Sequence, residues 1–95
     1  MSKATAAEKV YMDHVAQLGC VVCRNSGLGH QDANIHHIRS GQGMGQRASN
    51  YLIIPLCPTC HQHGKPSIHG DRRAFEALYG SEMDLLAQTI GEVFA

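Results

Sequence analysis

A small α+β fold is what this sequence predicts: a two-stranded hairpin and a short helix, stapled by zinc and flanked by longer helices. Three observations predict it. Helical periodicity appears toward both ends of the chain, two β-rich stretches separated by a glycine-rich segment lie in the middle, and two Cys-x-x-Cys pairs bracket that middle. The 95 residues leave room for a single domain spanning 1–95. A domain this short buries too small a share of its surface to be stable on apolar contacts alone, so a covalent or metal staple is expected.

Thr5-Ala6-Ala7-Glu8 has the spacing of a capping box, and Val10, His14, Val15 and Leu18 recur at helical intervals before Gly19 offers a left-handed stop. A first helix is predicted over 6–18. Cys20-Val21-Val22-Cys23 follows directly, and Asn25, Ser26, Gly27 and Gly29 read as a turn or loop. Strands are predicted over 33–38 and 51–56, joined through Ser40-Gly41-Gln42-Gly43-Met44-Gly45-Gln46, which has too many glycines for the interior of a helix or strand. Pro58 suits the first turn of a short helix at the second cysteine pair, ended by Gly64 and Pro66. Two more helices are predicted, over 71–79 and, with Ser81 as N-cap, over 82–94. Val10, Val15, Leu18, Phe75, Leu78, Leu85, Leu86 and Ile90 are the expected core, with no chemistry assigned to them.

No apolar run is long enough to cross a bilayer. The N-terminal segment mixes charges where a signal peptide needs an unbroken apolar stretch, which argues against export and for reduced thiols. Cys20-x-x-Cys23 and Cys57-x-x-Cys60, 33 residues apart, are therefore read as metal ligands. A two-residue spacer lets both sulfurs of a pair reach one tetrahedral zinc at about 2.3 Å, so each pair supplies half of a structural site whose loading is part of folding. Cys57-Pro58-Thr59-Cys60-His61 also spells the c-type haem signature, but haem attachment goes with export and leaves Cys20 and Cys23 unexplained. A thioredoxin-like pair is disfavoured by the absence of a βαβ pattern.

Five of the seven histidines fall in the middle of the chain: His36, His37, His61, His63 and His69. Adjacent residues on a strand face opposite ways, so one of His36 and His37 can hold metal while the other faces substrate. His61 follows a zinc cysteine directly, so the zinc can bring it to the same pocket. His14 and His30 are read as ordinary surface residues, and His63 is left without a role.

Ile35-His36-His37-Ile38, the loop to Asn50, and Leu56-Cys57-x-x-Cys60-His61 together resemble the HNH, or His-Me finger, endonuclease pattern. With Gly41-Gln42-Gly43-Met44-Gly45, Ile54-Pro55-Leu56-Cys57, Ile68-His69-Gly70 and Arg73-x-Phe75-Glu76, the chain resembles more narrowly the phage recombination-enhancement (Ref) nucleases. The resemblance covers most of the chain. It implies a ββα-metal, treble-clef-like core and DNA cleavage directed by RecA filaments, in the cytoplasm of a bacterial host and of phage or prophage origin. It also implies that His36 ligates a catalytic metal, His37 activates water, Asn50 orients that base and His61 completes the metal site. Asn50 lies seven residues before Cys57 where about five is commoner in the pattern. His69 is a candidate further ligand or phosphate contact.

The chemistry agrees with these roles. Phosphodiester hydrolysis needs a base near neutral pH, for which an imidazole of ordinary pKa about 6.5 is suited, and a cation to stabilise charge on the phosphate. Neutral imidazoles suit zinc or manganese, whereas magnesium prefers carboxylates, of which only Asp71 offers itself by sequence. The catalytic metal is left among magnesium, manganese and zinc. Net charge is zero, yet Arg24, Arg39, Arg47, Lys65, Arg72 and Arg73 face only Asp32 and Asp71 between residues 24 and 73. Arg39, Arg47, Arg72 and Arg73 are candidate nucleic-acid contacts, and the amides of the glycine-rich loop can cradle a phosphate. DNA affinity is expected to be weak and salt-sensitive. The alternative is a non-catalytic treble-clef zinc module that binds nucleic acid or protein.

Overall fold

The computed structural model describes residues 3–43, 46 and 48–95. Along the chain run α1 (Ala6–Gln17), α2 (Val21–Asn25), β1 (Asn34–His37), β2 (Ile53–Leu56), a single π-helical turn (Thr59–His63), α3 (Arg72–Tyr79) and α4 (Glu82–Val93). The capping box forms: Thr5 Oγ1 accepts from the Glu8 amide at 3.1 Å and Glu8 Oε1 accepts from the Thr5 amide at 2.7 Å. Gly19 ends the helical segment at φ 79°. A Cβ there would lie 2.6 Å from the His30 ring, so this position needs glycine both for its backbone and for its close neighbour.

β1 and β2 pair antiparallel, with Asn34 opposite Leu56, His36 opposite Ile54 and His37 opposite Ile53. The Ile38 amide continues the pairing to Leu52 O at 3.1 Å. All four residues of β2 are buried, because α1, α2 and α4 pack against this strand. A strand covered on both sides reads as an unbroken apolar run, as Ile53-Ile54-Pro55-Leu56 does. Phe75, Ile53, Ile54, Leu56 and Val15 are the largest apolar side chains shut away completely.

Three of the expected core residues lie outside it: Val10 is 69% exposed, Leu78 65% and Ile90 36%. In each case the helix presents a neighbouring face. Phe75 and Tyr79, four residues apart, turn α3 inward and leave Leu78 in solvent. On α4 the inner positions are Leu85, Leu86 and Thr89, and the Thr89 hydroxyl is satisfied by donating to Leu85 O at 2.8 Å. Leu18 is half-buried.

Two local differences concern the cysteines. The first pair opens a short helix, α2, in which Cys20 is the N-cap and its Sγ accepts from the Cys23 amide at 3.5 Å. The second pair leads into the π-helical turn in place of an ordinary helical one. That turn closes with the Gly64 amide on Thr59 O, where a Cβ on Gly64 would meet the same oxygen at 2.6 Å. The chain then folds back so that the Ile68 amide donates to Cys60 O at 2.9 Å and the His69 amide to His61 O at 3.0 Å. Residues 60–61 and 68–69 thus run side by side under the hairpin.

Candidate active site and metal centres

The four cysteines converge from α2, the end of β2 and the π-helical turn. Their sulfurs lie within 4.8 Å of one another, and Cys23 Sγ stands 3.7 Å from Cys57 Sγ. Sulfurs about 2.3 Å from a tetrahedral zinc are about 3.8 Å apart, so this spacing fits one ion. Burial, together with the neighbouring sulfurs, pushes the Cys23 thiol up to about 12 and raises Cys60 as well. Burial also acts to raise Cys57, but hydrogen bonds from Cys60 and the other thiols outweigh it and hold Cys57 low. Burial thus opposes ionisation at Cys23 and Cys60, and a cation among the sulfurs would offset it. The four cysteines can hold a structural metal ion.

A second cluster, of three histidines, forms beside the hairpin. His36, buried on β1, meets His61 of the π-helical turn with ring centroids 5.2 Å apart and His69 at 5.0 Å, while His61 and His69 lie 4.5 Å apart. One nitrogen from each lies within 4.8 Å of the others. Burial, then the proximity of His69 and His36, holds the His61 pKa down to about 4, and burial with His36 and Arg39 lowers that of His69. Crowded imidazoles of this kind stay neutral near pH 7, the form that offers a lone pair to a metal.

His37 is one residue further on, half-buried, and lines the same open cleft of about 420 Å³ as His36, His61, His69 and Arg39. Its Nε2 lies 2.8 Å from Asn50 Oδ1. A carboxamide oxygen only accepts, so in this contact the imidazole donates through Nε2. His36, His37, Asn50, His61 and His69, named from sequence, are therefore brought to one place. His63 is exposed and faces a separate hollow of about 550 Å³ shared with Lys65 and Asp71. His14 and His30 are exposed, with His30 Nε2 3.2 Å from Gln17 O.

The arginines differ among themselves. Arg39 is exposed at the cleft and donates through Nη1 to Gln46 O at 3.0 Å. Arg72 is turned toward carboxylates, with Nη2 3.1 Å from Glu82 Oε1 and Nε 3.5 Å from Glu76 Oε1, and it also donates to Ser40 Oγ. Arg73 is exposed. Arg47, with Met44 and Gly45 of the glycine-rich loop, lies outside the described residues.

Glu82 is the site residue that sequence reasoning missed. It is wholly buried, and its Oε2 lies 2.6 Å from His36 Nε2. Burial works to raise its pKa, but hydrogen bonds from His36, the Arg39 and Ser40 amides and the Ser40 hydroxyl outweigh it and bring the carboxyl to about 2. Asp71, the carboxylate suggested by sequence, instead caps α3 by accepting from the Ala74 amide at 3.1 Å. Nothing local marks Glu82: it lies 46 residues from His36, and as the first residue of α4 it reads as an ordinary acidic helix start.

Among the described residues no helix is long and apolar enough to cross a membrane. The chain is 38% identical over 61 residues to the Uncharacterized protein YdfU of Escherichia coli (strain K12). The matched segment is 63% of this chain and 16% of that protein, so the chain spans about a sixth of that relative's length. Residues 4–93, nearly the whole fold including both clusters, match the family described as Recombination enhancement, RecA-dependent nuclease. The chain belongs to the recombination-enhancement, RecA-dependent nuclease family.

Proposed function

We propose that this chain is a metal-dependent DNA endonuclease domain of the HNH (His-Me finger) type, directed to its substrate by RecA filaments. In this reading the core is a treble-clef-like ββα-metal unit with a structural zinc on Cys20, Cys23, Cys57 and Cys60. The observation that carries the proposal is the pairing of His37 with Asn50 in the cleft that also holds the His36, His61 and His69 trio. An imidazole oriented by a carboxamide beside a ligand set is the arrangement that phosphodiester hydrolysis asks of a protein.

His37 acts as the general base. With Nε2–H donated to Asn50, Nδ1 takes a proton from water, the resulting hydroxide attacks phosphorus, and the bond to the leaving oxygen breaks with inversion at phosphorus. Asn50 fixes the ring and its tautomer and is a positioning residue. A divalent cation on His36, His61 and His69 would stabilise charge on the phosphate and on the leaving oxygen. Three neutral imidazoles suit zinc or manganese better than magnesium. Arg39 and Arg73, exposed near and beyond the cleft, supply phosphate contacts.

The test is a DNA-cleavage assay with RecA filaments on single- and double-stranded substrates, run with magnesium, manganese or zinc. His37→Ala is expected to lower kcat at least a hundredfold, in the range that loss of a general base produces. Undiminished cleavage by His37→Ala would overturn the assignment of the base. One bound metal per chain together with no cleavage by the wild type under any of these conditions would point to a non-catalytic zinc module.

A further inference from the structure

Glu82 gathers an unusual number of donors for a side chain with no solvent exposure. Beside His36 Nε2 at 2.6 Å, it accepts from the Arg39 amide at 2.9 and 3.0 Å, the Ser40 amide at 2.9 Å and the Ser40 hydroxyl at 2.9 Å, with the Arg72 guanidinium at 3.1 Å. Its own amide donates to Glu76 Oε2 at 2.8 Å. Holding a helix end against the exit of a strand does not require a buried ion, since apolar side chains of similar volume often do so with equal or greater stability. What an apolar residue cannot do is set the proton on an imidazole.

A carboxylate only accepts, so in the 2.6 Å contact His36 donates through Nε2, and Nδ1 is the ring nitrogen left to serve as a ligand. Among the described residues, His36 is the one member of the trio hydrogen-bonded to a carboxylate, and it is also the most buried of the three. We propose that Glu82 is the positioning residue of the histidine metal site: it locks His36 in the tautomer and orientation that present Nδ1 as a ligand and strengthens that nitrogen as a donor. It thereby makes His36 the anchor to which His61 and His69 are added. The inference rests on the reading of the histidine trio as a metal site, and it extends that reading to a residue on a different element.

Carboxylates in this relation to a ligating histidine are worth about tenfold to a hundredfold in metal affinity. Protein carrying one equivalent of zinc in its cysteine site is titrated with Co(II), following the ligand-field absorption of the second site and its affinity against a competing chelator. Wild type is expected to take up one Co(II). Glu82→Gln, which keeps the side-chain volume and one acceptor oxygen, is expected to weaken that uptake tenfold to a hundredfold and to alter the absorption envelope, with the cysteine site and far-ultraviolet circular dichroism unchanged. Thr89→Ala, at a buried position of the same helix that makes no contact with Glu82, is expected to leave Co(II) affinity unchanged, separating ligand positioning from loss of packing.

Equal Co(II) affinity and spectrum in wild type and Glu82→Gln would overturn the role of Glu82 while leaving the trio as a metal site. No Co(II) uptake by wild type, with His36→Ala indistinguishable from it, would overturn the site itself and the inference with it. A measurement on the unaltered protein guards against a variant that fails to fold: long-range 15N–1H correlation of the His36 ring is expected to show the proton on Nε2 both before and after diamagnetic zinc fills the histidine site. A proton on Nδ1 in either state overturns the proposal.

Discussion

At the scale of single residues, the site is built from side chains whose partners fix their orientation. Asn50 does this for His37 through the 2.8 Å contact between Oδ1 and Nε2. Truncating it leaves His37 on β1 without the acceptor that orients its Nε2. Asn50→Ala is therefore expected to lower kcat for DNA cleavage by about tenfold to a hundredfold, less than His37→Ala, with KM for DNA little changed, since small misplacements of a reacting group have costs of this size. A large rise in KM at unchanged kcat would instead make Asn50 a DNA contact. The individual histidines were legible because each sits in a short motif, two of them adjacent on a strand and one directly after a cysteine. Glu82 was not legible, because its partners are His36, Arg39 and Ser40, and only the packed fold brings α4 to the end of β1.

At the scale of elements, local chemistry fixed most of the boundaries: the Thr5 box for α1 and Ser81 for α4 cap as their side chains predict, and Asp71, read as the first residue of α3, caps it. What escaped reading is set by tertiary contact. α2 is five residues long, too short for periodicity to reveal, and Cys20 caps it through sulfur. The inward faces of α1, α3 and α4 depend on where β2 lies, which is why Val10, Leu78 and Ile90 remain in solvent. α2 is also joined to α4 by a bidentate pair, with Arg24 Nη1 2.9 Å from Glu92 Oε2 and Nη2 3.0 Å from Oε1. The hydrogen bond from Arg24 holds the Glu92 carboxyl below its ordinary value. Both side chains keep contact with solvent, so the pair is worth less than about 1 kcal/mol. Because the folded-state pKa is depressed, that stability is present above the ordinary carboxyl pKa and disappears as pH falls through the folded value. Urea unfolding of wild type and Glu92→Gln is expected to differ by up to about 1 kcal/mol at pH 7, with the gap narrowing as the solution is taken below the usual carboxylate range. A gap that widened on acidification would contradict the linkage.

At the scale of the whole molecule, the two clusters are mechanically one. The sulfur cluster closes the chain from Cys20 to Cys60 around the hairpin, and His61 is the next residue, on the same π-helical turn. His69 is in turn held by its amide on His61 O. The cysteine site therefore supports the histidine trio, of which His61 and His69 are the members more open to the cleft. In so small a domain, a metal held by the sulfurs would be part of the folding free energy, of which structural zinc sites contribute about 10–16 kcal/mol in small peptides. Removing zinc with a strong chelator at neutral pH is accordingly expected to abolish a single cooperative thermal transition followed by circular dichroism, and to abolish Co(II) uptake at the histidines along with it. Cys60→Ser should reproduce much of that loss. His61→Ala, which removes a member of the trio but none of the sulfurs, should keep the cooperative transition with its midpoint within a few degrees of wild type. If the chelated protein melted as wild type does, the sulfurs would be packing groups and the fold would stand on its apolar core alone. If His61→Ala were as damaging as Cys60→Ser, the dependence between the two clusters would run in both directions, with the trio helping to hold the turn that presents Cys60.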